Sequence, residues 1–227
     1  MERHPMEFQA ALDIPPQKTQ QYGTAMLFME SWPAPALGDT APPPSAYPAP
    51  HVIACAHAAV LLDLHRAEID MVVWGRRVPN TWQMALGKPA SSGTIFDMLA
   101  SSTEIANVLA SKAANRELSP LVLGDAIELS SLFSAITHDS RQHLRLLVGA
   151  TDGPEFAPAP NRLRLVCCYG SSSTEWRSSA GITSLPPYAV ALIKGTRDSG
   201  HGCLHRFCRA APDETTSGIH LIIDTVI

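Results

Sequence analysis

The sequence predicts an α+β fold: a mainly helical N-terminal portion packed on a C-terminal antiparallel sheet or small barrel. Two observations carry this. Over residues 54–68 and 121–137 apolar residues recur at helical spacing, most clearly Leu129, Leu132, Phe133 and Ile136. Beyond them the pattern changes to short apolar runs at 143–150, 162–169, 188–194 and 219–226. Turn-rich pieces such as Gly170-Ser171-Ser172-Ser173 and Asp198-Ser199-Gly200 separate these runs.

Taken in order, residues 1–53 form a Pro-rich, poorly patterned strap, with prolines clustered over 32–50. Proline fixes φ and lacks an amide donor, so this segment favours extended chain, as a linker, a strap on the core, or a ligand for a proline-reading domain. Residues 54–140 form the mainly helical portion and 141–227 the antiparallel β domain, with 54–227 as one structural unit. Residues 54–68 suit a helix, although His and Asp interrupt its apolar face. The run Ile69-Asp70-Met71-Val72-Val73-Trp74 reads as a strand ended by Gly75 and Pro79. Two or three helices follow. Ser101-x-x-Glu104 has the spacing of a capping box, although the same residues also suit a helix begun near Thr94. Ser119-Pro120 opens the next helix, because proline at the first position gives up only an amide with no partner.

A chain of 227 residues with 45% hydrophobic and 17% charged residues has the material for one sizeable core. A net charge of −4 and scattered Lys and Arg give no phosphate-backbone binding surface, so no nucleic-acid partner is expected. No window reaches the ~20 apolar residues of a membrane-spanning helix, and Met1-Glu2-Arg3-His4-Pro5 opens no secretory signal. A cytoplasmic protein without a membrane partner is the expectation. Five cysteines cannot all pair with one another, and Cys167 and Cys168 point to opposite faces of one strand, so free thiols are expected. There is no internal repeat, phosphate loop, dinucleotide fingerprint or zinc-protease motif.

Chemistry concentrates late in the chain. His201-Gly202-Cys203-Leu204-His205-Arg206-Phe207-Cys208 puts four soft-metal donors in eight residues. On a straight strand His201 and His205 stand ~13 Å apart, too far to share an ion. Cys203, His205 and Cys208 remain as an alternative zinc set, weighed against two buried thiols beside a hydrogen-bonded histidine. Arg164, Glu175, Lys194, His205 and Arg206 are polar residues that a curled sheet would gather on its concave side, with Trp176 as a pocket wall. Such a pocket suits a carboxylate or phosphate. The competing account is a salt-bridge network, Glu175 with Arg164 or Lys194, that holds strands in register. Ser171-Ser172-Ser173 lacks the Gly-x-Ser-x-Gly strand-to-helix elbow of a nucleophile and reads as a turn.

One further pattern crosses the chain. Gly153-Pro154-Glu155-Phe156-Ala157-Pro158-Ala159, Arg162-Leu163-Arg164-Leu165, Tyr169 and Thr174-Glu175-Trp176 follow one another, preceded by Val73-Trp74-Gly75-Arg76-Arg77-Val78-Pro79. Val190-Ala191-Leu192-Ile193-Lys194-Gly195, Gly202-Cys203-Leu204-His205-Arg206 and a closing strand that reaches Asp224 come after. In this order they resemble a bacterial family, the domain of unknown function eighteen-twenty-six. That family shows Cys-Pro-x-Phe-His-x-Asp in the first segment, a distal His, and an Arg before the last strand. Its layout is similar to that of iron/2-oxoglutarate oxygenases, which implies a double-stranded β-helix or cupin-like β domain and an iron site. Here Gly153 stands at the Cys position, Ala157 and Ala159 at the His and Asp positions, and Gly218 near the Arg position. His205 keeps the distal His position.

The resemblance therefore implies a degenerate oxygenase-like fold without its metal triad, with no cofactor, that binds a small anionic molecule or a protein partner. Arg164, Glu175, Trp176, Lys194 and Arg206 are the expected ligand-binding residues. The alternative is an enzyme, with His205 in acid–base catalysis, or with zinc or iron as cofactor.

Overall fold

The structure is a computed structural model that describes residues 49–79, 82, 93–114, 118–149, 155–179, 181–200, 202–208 and 218–226. The Pro-rich segment before Ala49 lies outside the described residues, as do Gly153, Pro154 and His201.

The described strands form two sheets. The larger has seven strands in the order β1 (Val52–Cys55), β2 (Met71–Trp74), β8 (Val190–Lys194), β5 (Leu163–Tyr169), β10 (Ile219–Thr225), β4 (Gln142–Val148) and β3 (Gly93–Ala100). The smaller has three: β7 (Gly181–Ser184), β6 (Ser173–Ser178) and β9 (His205–Cys208). The ladders are antiparallel except the parallel β1–β2 pair.

β5 and β10 are buried along their whole length because both faces of the larger sheet are covered. Alternation then assigns the side chains. Leu163, Leu165, Cys167 and Tyr169 enter the core beneath the helices, whereas Val166 and Cys168 enter the core shared with Trp176, Leu185 and Phe207. Cys167 and Cys168 are free and lie in different cores, as strand geometry requires.

Helices α1 (Ser102–Ala114) and α2 (Pro120–Thr137) cover one face. The capping box at α1 forms: the Ser101 amide donates to Glu104 Oε2 at 2.9 Å, and the Glu104 amide donates to Ser101 Oγ at 3.3 Å. α2 starts at Pro120 after Ser119 and buries Leu129, Phe133 and Ile136, with Leu132 partly buried beside them. It is also the one helix among the described residues long and apolar enough to cross a membrane. Half of that window is buried inside this fold, so its apolar face is already used in packing.

Several expectations need correction. Residues 54–68 are not one helix: Ala54 and Cys55 end β1, and only Ala58–His65 coil, as a 3₁₀ helix. Thr94 does not begin a helix. It lies in β3, where Phe96, Met98 and Ala100 alternate onto the core. Short apolar runs fit either period, and pairing with β4 decides this one. The helices are thus inserted between strands of one sheet and do not form a separate N-terminal layer. No closed barrel forms among the described residues; the two sheets lie face to face with open edges.

Candidate functional site

The site lies where β9 approaches β5, β10 and β4. Ala157 and His205 form a two-way backbone pair: the Ala157 N–H donates to the His205 carbonyl at 3.0 Å, and the His205 N–H donates to the Ala157 carbonyl at 3.1 Å. The position of the family's first His thus lies opposite its distal His.

The His205 ring is buried, and its two nitrogens have different roles. Nδ1 stands 3.0 Å from the Cys203 carbonyl. A carbonyl only accepts, so Nδ1 carries the proton and Nε2 the lone pair. Arg164 Nη1 lies 3.1 Å from Nε2 and donates to it. The guanidinium is fixed in turn by Asp224, with Nε to Oδ1 at 2.7 Å and Nη2 to Oδ2 at 3.1 Å. Arg145 Nη2 donates to the same Oδ2 at 2.9 Å. Burial alone would push the Asp224 carboxyl up. The charge and hydrogen bonds of Arg164, with Arg145 and Asn161 added, hold it below the usual carboxylate range.

Among the described residues this cluster carries two guanidiniums against one carboxylate. Asp97, the cross-strand partner of Arg145, is half exposed and bonds to His143 instead. Among the described residues Arg145 Nε is buried with no partner. Among the described residues Arg164 commits three of its five N–H groups, so Nη1 and Nη2 each keep one.

Of the residues singled out from sequence, Arg164 and His205 meet. Glu175 and Arg206 form a second pair on the other face of the smaller sheet, Trp176 is the cross-strand neighbour of His205, and Lys194 stands apart. Ile193 shares the face of Arg164, so Lys194 projects to the opposite face of the larger sheet. There its ammonium donates to the Arg66 carbonyl at 2.8 Å and faces Asp198 at 3.8 Å. Glu175 pairs with Arg206 at 2.7 Å, not with Arg164 or Lys194, on the face of the smaller sheet away from His205. Arg206 also lies 4.5 Å over the Phe156 ring, and Arg177 is 4.9 Å from it. Trp176 is buried in the core between the sheets.

The zinc alternative does not fit. The Cys203 thiol packs at 4.0 Å from the Met71 sulfur, whereas Cys208 sits among Glu175 and Arg206. Burial pushes Cys203 up to about 12 and Cys208 up to about 11, which opposes the thiolates that zinc requires. Among the described residues no three His, Cys, Asp or Glu side chains stand close enough to hold an ion. The iron set fails for a different reason. Ala157 and Ala159 offer no lone pair, and the His205 lone pair is already engaged.

Asp224 and Arg145 escaped the sequence reading of the site. Asp224 stood only as the end of a strand; the signal for Arg145 was one charge amid Leu144, Leu146 and Leu147. Gly218 is explained by packing. A Cβ there would collide with the amide and hydroxyl of Ser172, so no side chain, arginine included, fits this backbone position.

A second polar cluster lies beneath the helices. Arg76 forms a two-point ion pair with Asp125, and the Tyr169 hydroxyl donates to Asp125 Oδ2 at 2.6 Å. Arg76 and Tyr169, both part of the family-like pattern, therefore converge on one carboxylate, and the Trp74 ring of the same pattern lies 5.4 Å from the Arg76 guanidinium.

Residues 56–217 match the model of a family described as "Protein of unknown function (DUF1826)". No curated protein matches the chain. Among solved structures, a full-length Neurospora crassa protein in complex with alpha-KG is 11% identical. That match covers 72% of this chain and 76% of that one, with a TM-score of 0.38. A Shewanella oneidensis protein provisionally called an oxygenase is also 11% identical, covering 78% and 89% with a TM-score of 0.40. At that level of likeness neither structure lends its chemistry to this chain.

Proposed function

The chain belongs to the DUF1826 family, and on that premise we propose that it is a binding protein for a small carboxylate, without metal-dependent catalysis. One observation carries the reading: among the described residues Arg145 and Arg164 share the single carboxylate of Asp224, leaving one positive charge in a largely buried cluster. A buried charge without a counter-charge is costly, and a bound anion removes that cost. One carboxylate matches the excess, whereas a phosphate dianion exceeds it. The donors are also supplied: among the described residues Arg145 Nε has no partner and Arg164 keeps two N–H groups. Arg145 is 21% exposed at its side chain, so the cluster borders solvent on that side.

Acid–base catalysis at His205 has less support. Both ring nitrogens are engaged, one with a carbonyl and one with a guanidinium, so neither faces a substrate.

Calorimetry and thermal shift with formate, acetate, propionate and inorganic phosphate test the proposal. A carboxylate Kd near 1 mM, about 4 kcal/mol, is expected, with weaker phosphate binding and loss of carboxylate binding in Arg145→Met. Heats that are absent, or unchanged in Arg145→Met, would overturn it.

A further inference from the structure

Arg164 and His205 support an inference that goes beyond anion binding and stands without it. A metal ion bound through histidine takes a ring nitrogen's lone pair. In His205 that lone pair is on Nε2, and the atom facing it is Arg164 Nη1 at 3.1 Å. We infer that the Arg164 guanidinium stands in for a metal cation against His205, so that the chain supplies its own positive charge at this position.

Three features make the replacement coherent. First, the guanidinium is held in place: two bonds to Asp224 fix its plane, and the Phe207 ring lies 6.0 Å from its carbon. Second, the cluster already carries excess positive charge from Arg145, so a divalent ion entering here would be repelled. Third, the position of the carboxylate ligand is packed against its neighbours. The Ala159 side chain is fully buried, and its carbonyl accepts the Thr196 amide at 2.9 Å. A longer side chain at position 159 has to displace this packing.

The arrangement predicts how the missing ligands would behave if restored. In Ala157→His/Ala159→Asp, Arg164 still competes for Nε2. Removing it with Arg164→Met leaves Arg145 and Asp224 as a balanced pair and frees the lone pair.

The test is a Co(II) titration of the full chain, followed by visible absorbance and calorimetry. A charge-assisted hydrogen bond is at stake, so the triple variant should bind roughly 10- to 100-fold more tightly than the double variant. Equal affinities for the double and triple variants would overturn the inference. A second measurement needs no variant: ¹⁵N NMR of the histidines in the wild-type chain. The His205 signals should show protonated Nδ1 and bare Nε2, unmoved by equimolar Co(II). Selective broadening of His205 by Co(II) would equally overturn the inference, whatever the variants do.

Discussion

Arg145 and Arg164 donate to the same atom, Oδ2 of Asp224, from 2.9 and 3.1 Å. They arrive from β4 and β5, the two neighbours of β10, so one carboxylate on the central strand ties three strands together. Removing that carboxylate leaves two guanidiniums facing each other across the gap. Asp224→Asn should cost about 3–5 kcal/mol, the range for a buried charge deprived of its partner. Urea unfolding of the two proteins measures it. A loss below about 1 kcal/mol would place the stabilisation elsewhere.

The same carboxylate sets an acid limit. Its folded-state pKa lies below its unfolded value, so the stability it adds is fully present above the unfolded value, ~3.9. That stability is lost as pH falls through the folded value. Wild type should therefore lose melting temperature below about pH 4 more steeply than Asp224→Asn. Parallel curves for the two proteins would contradict the assignment.

Gly218 faces a different constraint. A single methyl at this position meets the amide and hydroxyl of the buried Ser172. Gly218→Ala should therefore destabilise by about 1–3 kcal/mol, the usual cost of overpacking, and Gly218→Arg by more. Thermal melts of both variants check the order. Ser172→Gly, which removes the hydroxyl but not the amide, should rescue Gly218→Ala only in part.

How much of this was legible depends on the range of the interaction. β5 and β10 announce themselves because side chains alternate along a strand and both faces are buried. The Ser101–Glu104 box was legible because its two members are three residues apart. The Arg164–Asp224 pair spans 60 residues and the Arg164–His205 contact 41, and nothing local to either residue marks them. The larger miss has the same origin. β1 and β3 are edge strands whose composition also suits a helix, and only the partner strand fixes them. Conversely, the absent metal ligands were visible as Ala157 and Ala159, while the guanidinium facing His205 required the fold.

The Arg76–Asp125 pair beneath the helices carries the last prediction. Asp125 sits on the buried face of α2, a position that would normally be apolar. It is tolerated because Arg76 grips it with two nitrogens and Tyr169 donates a third hydrogen bond at 2.6 Å. Arg76 does more than balance charge. Its Nε donates at 2.8 Å to the carbonyl of Tyr188, whose φ of 65° is unusual for a bulky residue. Asp125→Asn removes only the charge, and Tyr169 and Arg76 can still donate to the amide oxygen. Arg76→Met leaves Asp125 buried without its cation and also releases the Tyr188 carbonyl. The two losses should therefore differ, with Arg76→Met costing about 3–5 kcal/mol and Asp125→Asn less. Arg76→Met/Asp125→Leu should recover part of the Arg76→Met loss, because no unpaired charge remains in the core. Chemical denaturation of all three separates the terms. A double variant no more stable than Arg76→Met would mean that the Tyr188 carbonyl, and not the ion pair, is what Arg76 chiefly holds.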